Sequence, residues 1–142
     1  MRDPMSIGVG DLIINSINMS QIKGFRDLIV YQKAYKLAMD IFVISKIFPK
    51  EEKYSLTDQI RRSSRSVTSN LAEAWARKNY PKSFINKLTD SLGEEYETEV
   101  WLDYSRDTEY INIAKHSDLM KQYDEVRKML ISMITHPEKF HY

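Results

Sequence analysis

Six cationic side chains lie close together in the middle of the chain: Arg61, Arg62, Arg65, Arg77, Lys78 and Lys82. An arginine guanidinium is a planar fork of N–H donors that grips a phosphate through two parallel hydrogen bonds. The nearby hydroxyls of Ser66 and Ser69 can add contacts to the same anion. On a helix, at about 100° per residue, Arg61, Arg62 and Arg65 gather on one side. The chemistry this points to is the holding of a polyanion. A second reading stands beside it. Asp58 lies three and four residues before Arg61 and Arg62, and Glu73 lies four before Arg77, spacings at which helical side chains pair locally. On that reading the charges serve salt bridging and solubility.

The other polar residues speak against most reaction classes. The absence of cysteine excludes disulfides, thiolate metal sites and thiol catalysis. His116, His136 and His141 have no histidine partner four residues away. The Glu-x-x-His motifs on two helices that a di-metal bundle needs are not present, so no metal is expected. The serines fall on a predicted helix, with no strained elbow and no neighbouring histidine to activate them. No glycine-rich phosphate loop occurs. The acidic run Asp90, Glu94, Glu95, Glu97 and Glu99 could pair carboxylates for acid–base work. We expect most of it to be a solvated face, with Glu97 and Thr98 turned inward against the basic helix. No enzyme and no cofactor is expected.

These residues need elements to position them. With 142 residues the chain suits one domain with one core, and its 42% apolar and 29% charged residues are those of an ordinary soluble protein. Four glycines and four prolines leave few breaks, so long elements are expected. Apolar runs fall far short of the ~20 residues that cross a bilayer. The first residues, MRDPMSIGVGDLIINSI, make a poor secretory signal, and a cytoplasmic location without membrane contact is expected. The net charge of +1 hides an asymmetry, because residues 50–82 carry +4 and residues 83–110 carry −6. Neighbouring elements of opposite sign would attract, within or between subunits.

Residues 1–24 read as a loose leader, with Met19-Ser20 as an alternative start. From Asp27 a helix carries two apolar stripes. One is Leu28, Tyr31, Tyr35, Ala38, Phe42 and Ser45; the other is Val30, Ala34, Leu37, Ile41, Ile44 and Phe48. That is more apolar face than one groove requires. Pro49 ends it. A second helix is predicted from Ser55, where Ser55 and Asp58 have the spacing of a capping box, through Leu56, Ile60, Ser63, Val67, Leu71 and Ala74. Its serines and alanines permit close approach of a neighbour. Pro81 opens a third helix that runs to about Asp107 through Phe84, Leu88, Leu92, Val100, Trp101 and Leu102. Asn112 caps a fourth, which ends at His136-Pro137. The expectation is an all-α, antiparallel up-down-up-down four-helix bundle over residues 25–136, with 137–142 as a tail.

Three segments carry a resemblance. They are Phe25–Ala34 (FRDLIVYQKA), Phe48–Arg62 (FPKEEKYSLTDQIRR) and Ser69–Glu73 (SNLAE), joined by Glu97-Thr98-Glu99 on the third helix. Together the chain over about residues 25–134 resembles the four helix bundle protein family, also called the 23S rRNA intervening-sequence protein family. Some of its members are encoded within insertions in bacterial ribosomal RNA genes. Two features depart from the commoner pattern: Ala74-Trp75 after the SNLAE segment, and the acidic, aromatic EEYETEVWLDY of the third helix.

The resemblance implies a ring-like homopentamer without enzymatic activity. It also implies similarity to the accessory protein of diversity-generating retroelements, a basic bundle that binds nucleic acid, RNA or DNA, and partners a reverse transcriptase. Gln59, Arg62, Ser69, Asn70, Glu73 and Glu97 match motif positions. Gln59, Asn70, Glu73 and Glu97 are then expected to form a structural polar network between the second and third helices. Arg62 joins either that network or the phosphate strip. The alternative function is a protein-interaction scaffold with no nucleic-acid binding of its own, using Tyr80, Tyr96, Trp101 and Tyr104 as its contact surface.

Overall fold

A computed structural model describes residues 22–140; most of the leader and the last two residues lie outside that range. Four long helices account for it: α1 Ile29–Ser45, α2 Asp58–Ala76, α3 Pro81–Asp107 and α4 Ile113–Thr135, with no strand among the described residues. Each helix packs on its neighbours in sequence, and α1 also packs on α4, so the four form a closed square with α1 diagonal to α3. This is the antiparallel four-helix bundle expected.

The ends of the helices follow local chemistry, with one exception. Pro81 occupies the first turn of α3, where its missing N–H leaves no bond unmade. The Asn112 side chain accepts a hydrogen bond from the Lys115 amide at 2.7 Å and caps α4. The end of α3 is a closed reverse turn. The Glu109 N–H donates to Arg106 O (2.9 Å) and the Tyr110 N–H to Ser105 O (3.0 Å), while Glu109 sits at φ 65°. The exception is the start of α2. The predicted capping box is not formed there. A 3-10 turn at Lys50–Glu52 runs into a π-helical turn at Lys53–Thr57 and straight on into α2. Ser55 Oγ instead donates to the Glu52 carboxylate at 2.7 Å. A cap is needed only where backbone N–H groups are orphaned, and a helix entered from another helical turn has fewer of them.

The core is one cluster, with Leu37 and Ile41 of α1, Ile60, Val67 and Leu71 of α2, Leu88 and Leu102 of α3, and Leu119, Tyr123, Val126 and Leu130 of α4 almost wholly inaccessible. It extends past the end of α4. Phe140, in a 3-10 turn at Pro137–Phe140, is buried in it, so residues 137–140 belong to the packed body. The most extensive seam is α2 against α3. Small side chains allow the close approach: Ser63 and Ser64 on α2, and Ser91, Thr98 and Ser105 on α3, all inaccessible. Thr98 Oγ1 donates to Ser63 Oγ at 2.9 Å and Ser91 Oγ to Val67 O at 2.8 Å, so the seam is tied by buried hydroxyls.

Two apolar edges remain outside the core. On α1, Tyr35, Met39 and Val43 are exposed, with Ile47 just past its end; on α3, Tyr96, Val100 and Tyr104 are exposed at spacings of four. The second of the two predicted α1 stripes is the core face, whereas the first is buried only in part, with Tyr35 open to solvent.

Candidate functional site

The first three arginines of the strip share one place. Asp58, Arg61, Arg62, Arg65, Ser66 and Ser69 line an open groove of about 460 Å³ along the outer edge of α2. Two α1 residues hold its near wall. Arg61 Nε donates to Ser45 Oγ at 2.8 Å, and the guanidinium carbons of Arg61 and Arg65 stand 4.9 and 5.8 Å from the centre of the Phe42 ring. An aromatic face attracts a cation without consuming its outward N–H donors, so both side chains are steered but keep hydrogen-bonding capacity. The far wall is α3. Arg62 Nη2 lies 3.4 Å from both Glu97 oxygens, and the arginine remains 59% exposed. A contact this long and this open to water is weak.

The other three predicted residues form a separate group. Arg77 and Lys78 lie at the end of α2 and Lys82 in the first turn of α3. Arg77 Nη1 donates to Ser83 Oγ at 3.1 Å, and Lys78 Nζ sits 4.6 Å above the Trp75 ring. From Arg61 to Arg77 the helix rises about 24 Å. Glu73 falls between the two groups and binds Lys87 of α3 at 2.6 Å, with Asp90 at 3.7 Å from the same nitrogen. That contact holds the Glu73 carboxyl below the usual carboxylate range. The strip is therefore two basic clusters with an internally neutralised stretch between them.

Among the described residues, Arg62 is the one member of the six within ion-pair distance of a carboxylate. Arg62 reaches across to Glu97, and Glu73 across to Lys87; the pairing runs between helices, not along α2 to Asp58 or Arg77 as the spacing suggested.

The four residues expected as a polar network are not joined in one. Glu73 and Glu97 make the two cross-helix pairs above, and Glu97 also accepts from Trp101 Nε1 at 3.3 Å. The Asn70 amide donates to Ser66 O on its own helix at 2.9 Å, and the Gln59 amide to Tyr54 O at 3.4 Å. The buried links are Thr98 with Ser63 and Ser91 with Val67.

The acidic run holds the largest departure from expectation. Glu95, read as part of a solvated face, is wholly inaccessible, and neither carboxylate oxygen has a hydrogen-bond partner among the described residues. Burial first, then the neighbouring Glu99 carboxylate, pushes its carboxyl up to about 9. It is a neutral acid in the core beside Tyr123, whose hydroxyl also lacks a partner. Glu99 in turn receives Arg127 of α4 at 3.0 Å, and Arg127 also binds Asp124. Glu94 is raised for the same two reasons, burial and then Glu97. A signal for Glu95 was available. The spacing 3-4-3-4-3 from Leu88 runs through Ser91, Glu95, Thr98, Leu102 and Ser105, all buried. Following apolar residues alone passes over it. Phe42 and Ser45, which contact the arginines of the groove, were likewise visible as residues but not as their neighbours.

No curated protein matches the chain. A solved structure from Bacteroides thetaiotaomicron, described as a protein of unknown function from the S23 ribosomal protein family, is similar to it. The two are 34% identical, the match covers 75% of this chain and 96% of that one, and the TM-score is 0.68. The model of the 23S rRNA-intervening sequence protein family matches residues 26–132, all four helices of the bundle. The chain belongs to that family.

Proposed function

We propose that this is a non-enzymatic, homo-oligomeric protein that binds nucleic acid through the backbone, without base specificity. One observation carries the reading: Arg61, Arg62 and Arg65 open into one groove with Ser66, Ser69 and the single carboxylate Asp58, and the ion pair they make with α3 is the long Arg62–Glu97 contact. Phosphate groups fit that donor set, and contacts of this kind release counterions, so binding should weaken steeply with salt. Self-assembly is supported by the apolar edges of α1 and α3. They lie on unlike faces, so a contact pairing one with the other is head-to-tail and makes a ring where the rotation closes. The pentamer, and an accessory role beside a reverse transcriptase, are what the family resemblance adds.

The test is a salt titration of the full chain against single- and double-stranded oligonucleotides. Binding that falls with salt and is lost when Arg61, Arg62 and Arg65 become Ala supports the reading. Absence of binding to either, or binding indifferent to those substitutions, overturns it. The mass of the free protein in solution, and its fall on Val43→Glu or Val100→Glu, tests the assembly.

A further inference from the structure

We propose that the groove takes one nucleic-acid strand and not a duplex, with phosphates on Arg61, Arg62 and Arg65 and unstacked bases against Tyr35 and Tyr54. This rests on the nucleic-acid reading above and narrows its ligand. The two flanks of the groove differ in kind. On the α1 side Phe42 lies under Arg61 and Arg65, and Tyr35, seven residues earlier on the same helix, shares that face about 10 Å along the axis. Tyr35 is 53% exposed. Tyr54 stands at the head of the α2 edge, four residues before Asp58 and eight before Arg62, is 74% exposed, and has Lys53 Nζ 5.2 Å from its ring. Exposed rings beside a file of cations are the two components of a single-strand platform, since every unstacked base offers a π-face.

On the α3 side the groove meets carboxylates, with Glu97 in contact with Arg62, Glu94 one turn earlier, and Asp90 beyond it. The cationic file is narrow. A duplex laid along it carries a second phosphate backbone over that acidic wall or over the apolar edge of α1, and its bases, already stacked on one another, have no face to offer the tyrosines. A single strand places its one backbone on the arginines and its bases toward α1.

The experiment uses the full chain and three labelled probes in fluorescence anisotropy at about 50 mM salt. The probes are oligothymidylate and oligouridylate of about 20 nucleotides and a mixed-sequence duplex of the same length. We expect at least one strand to bind about tenfold tighter than the duplex. Replacing Tyr35 and Tyr54 together by Leu, which keeps apolar area but removes the π-faces, should weaken strand binding about tenfold. Duplex binding and the salt slope should stay unchanged, and Phe at both positions should restore the strand. Circular dichroism melting confirms that each variant is folded. A duplex that binds as tightly as the strands, or strand binding indifferent to Leu, overturns this inference and leaves the broader reading in place. No binding by any probe overturns both.

Discussion

Thr98 of α3 donates its hydroxyl to Ser63 of α2 at 2.9 Å, and neither side chain is accessible to solvent. Ser63 in turn donates to Ile60 O at 3.3 Å. Thr98 Oγ1 also lies 2.8 Å from Glu94 O, so each hydroxyl has a carbonyl of its own helix in reach, and the Thr98–Ser63 bond is a direct buried tie between the two helices that a shift of one residue breaks.

Thr98→Val keeps the shape and removes the donor. It should cost about 1–2 kcal/mol by urea unfolding. Ser63→Leu forces a larger side chain into the closest seam of the bundle and should cost more, about 2–3 kcal/mol. A smaller effect for Ser63→Leu than for Thr98→Val would mean that the seam is not close-packed.

Glu95 sets a pH dependence. Its folded value of about 9 lies above the ordinary 4.5, so the folded chain holds a proton that the unfolded chain releases between those two values. Stability is greatest below about pH 4.5 as far as this group is concerned, falls as pH rises toward 9, and is level beyond. At pH 7 the loss is roughly 3 kcal/mol. Glu95→Gln, a neutral side chain of the same shape, should therefore stabilise the protein at pH 7–8. It should also flatten the decline between pH 5 and 8 in parallel urea titrations.

The two candidate caps should behave differently. Asn112→Ala removes a bond to the Lys115 amide and should cost about 1 kcal/mol. Ser55→Ala removes only an exposed contact to Glu52 and should change stability by less than about 0.5 kcal/mol. Thermal melts of both variants decide it.

Glu109 occupies the left-handed position that ends α3, at φ 65°. A side chain there is strained, and glycine is not. Glu109→Gly should raise stability by up to about 1 kcal/mol in the same melts, the reverse of what a glycine does inside a helix.

What the sequence determined unaided was whatever depends on neighbours within a turn or two. Pro81, Asn112 and the 3-4 spacing of Val30 to Ile41 place three helices and the core face of α1, because a missing N–H, a capping oxygen and an apolar stripe act locally. The capping box at Ser55 failed because the preceding turns at Lys50–Thr57 are helical, in a segment anchored to the core by the buried side chains of Phe48 and Leu56.

Tertiary structure alone decided which polar groups meet. The six cations became two clusters because α3 supplies Lys87 to Glu73 between them and α1 supplies Phe42 and Ser45 to the first. Within the acidic run Glu95 differs from Glu94 and Glu97 only in continuing the 3-4 spacing of Leu88, Ser91, Thr98 and Leu102, a mark of the inward face that does not say what the face meets. All three are carboxylates on one helix, and only the packing of α3 between α2 and α4 turns one into the core, strips its water and leaves it protonated, while the next turns outward to meet Arg62.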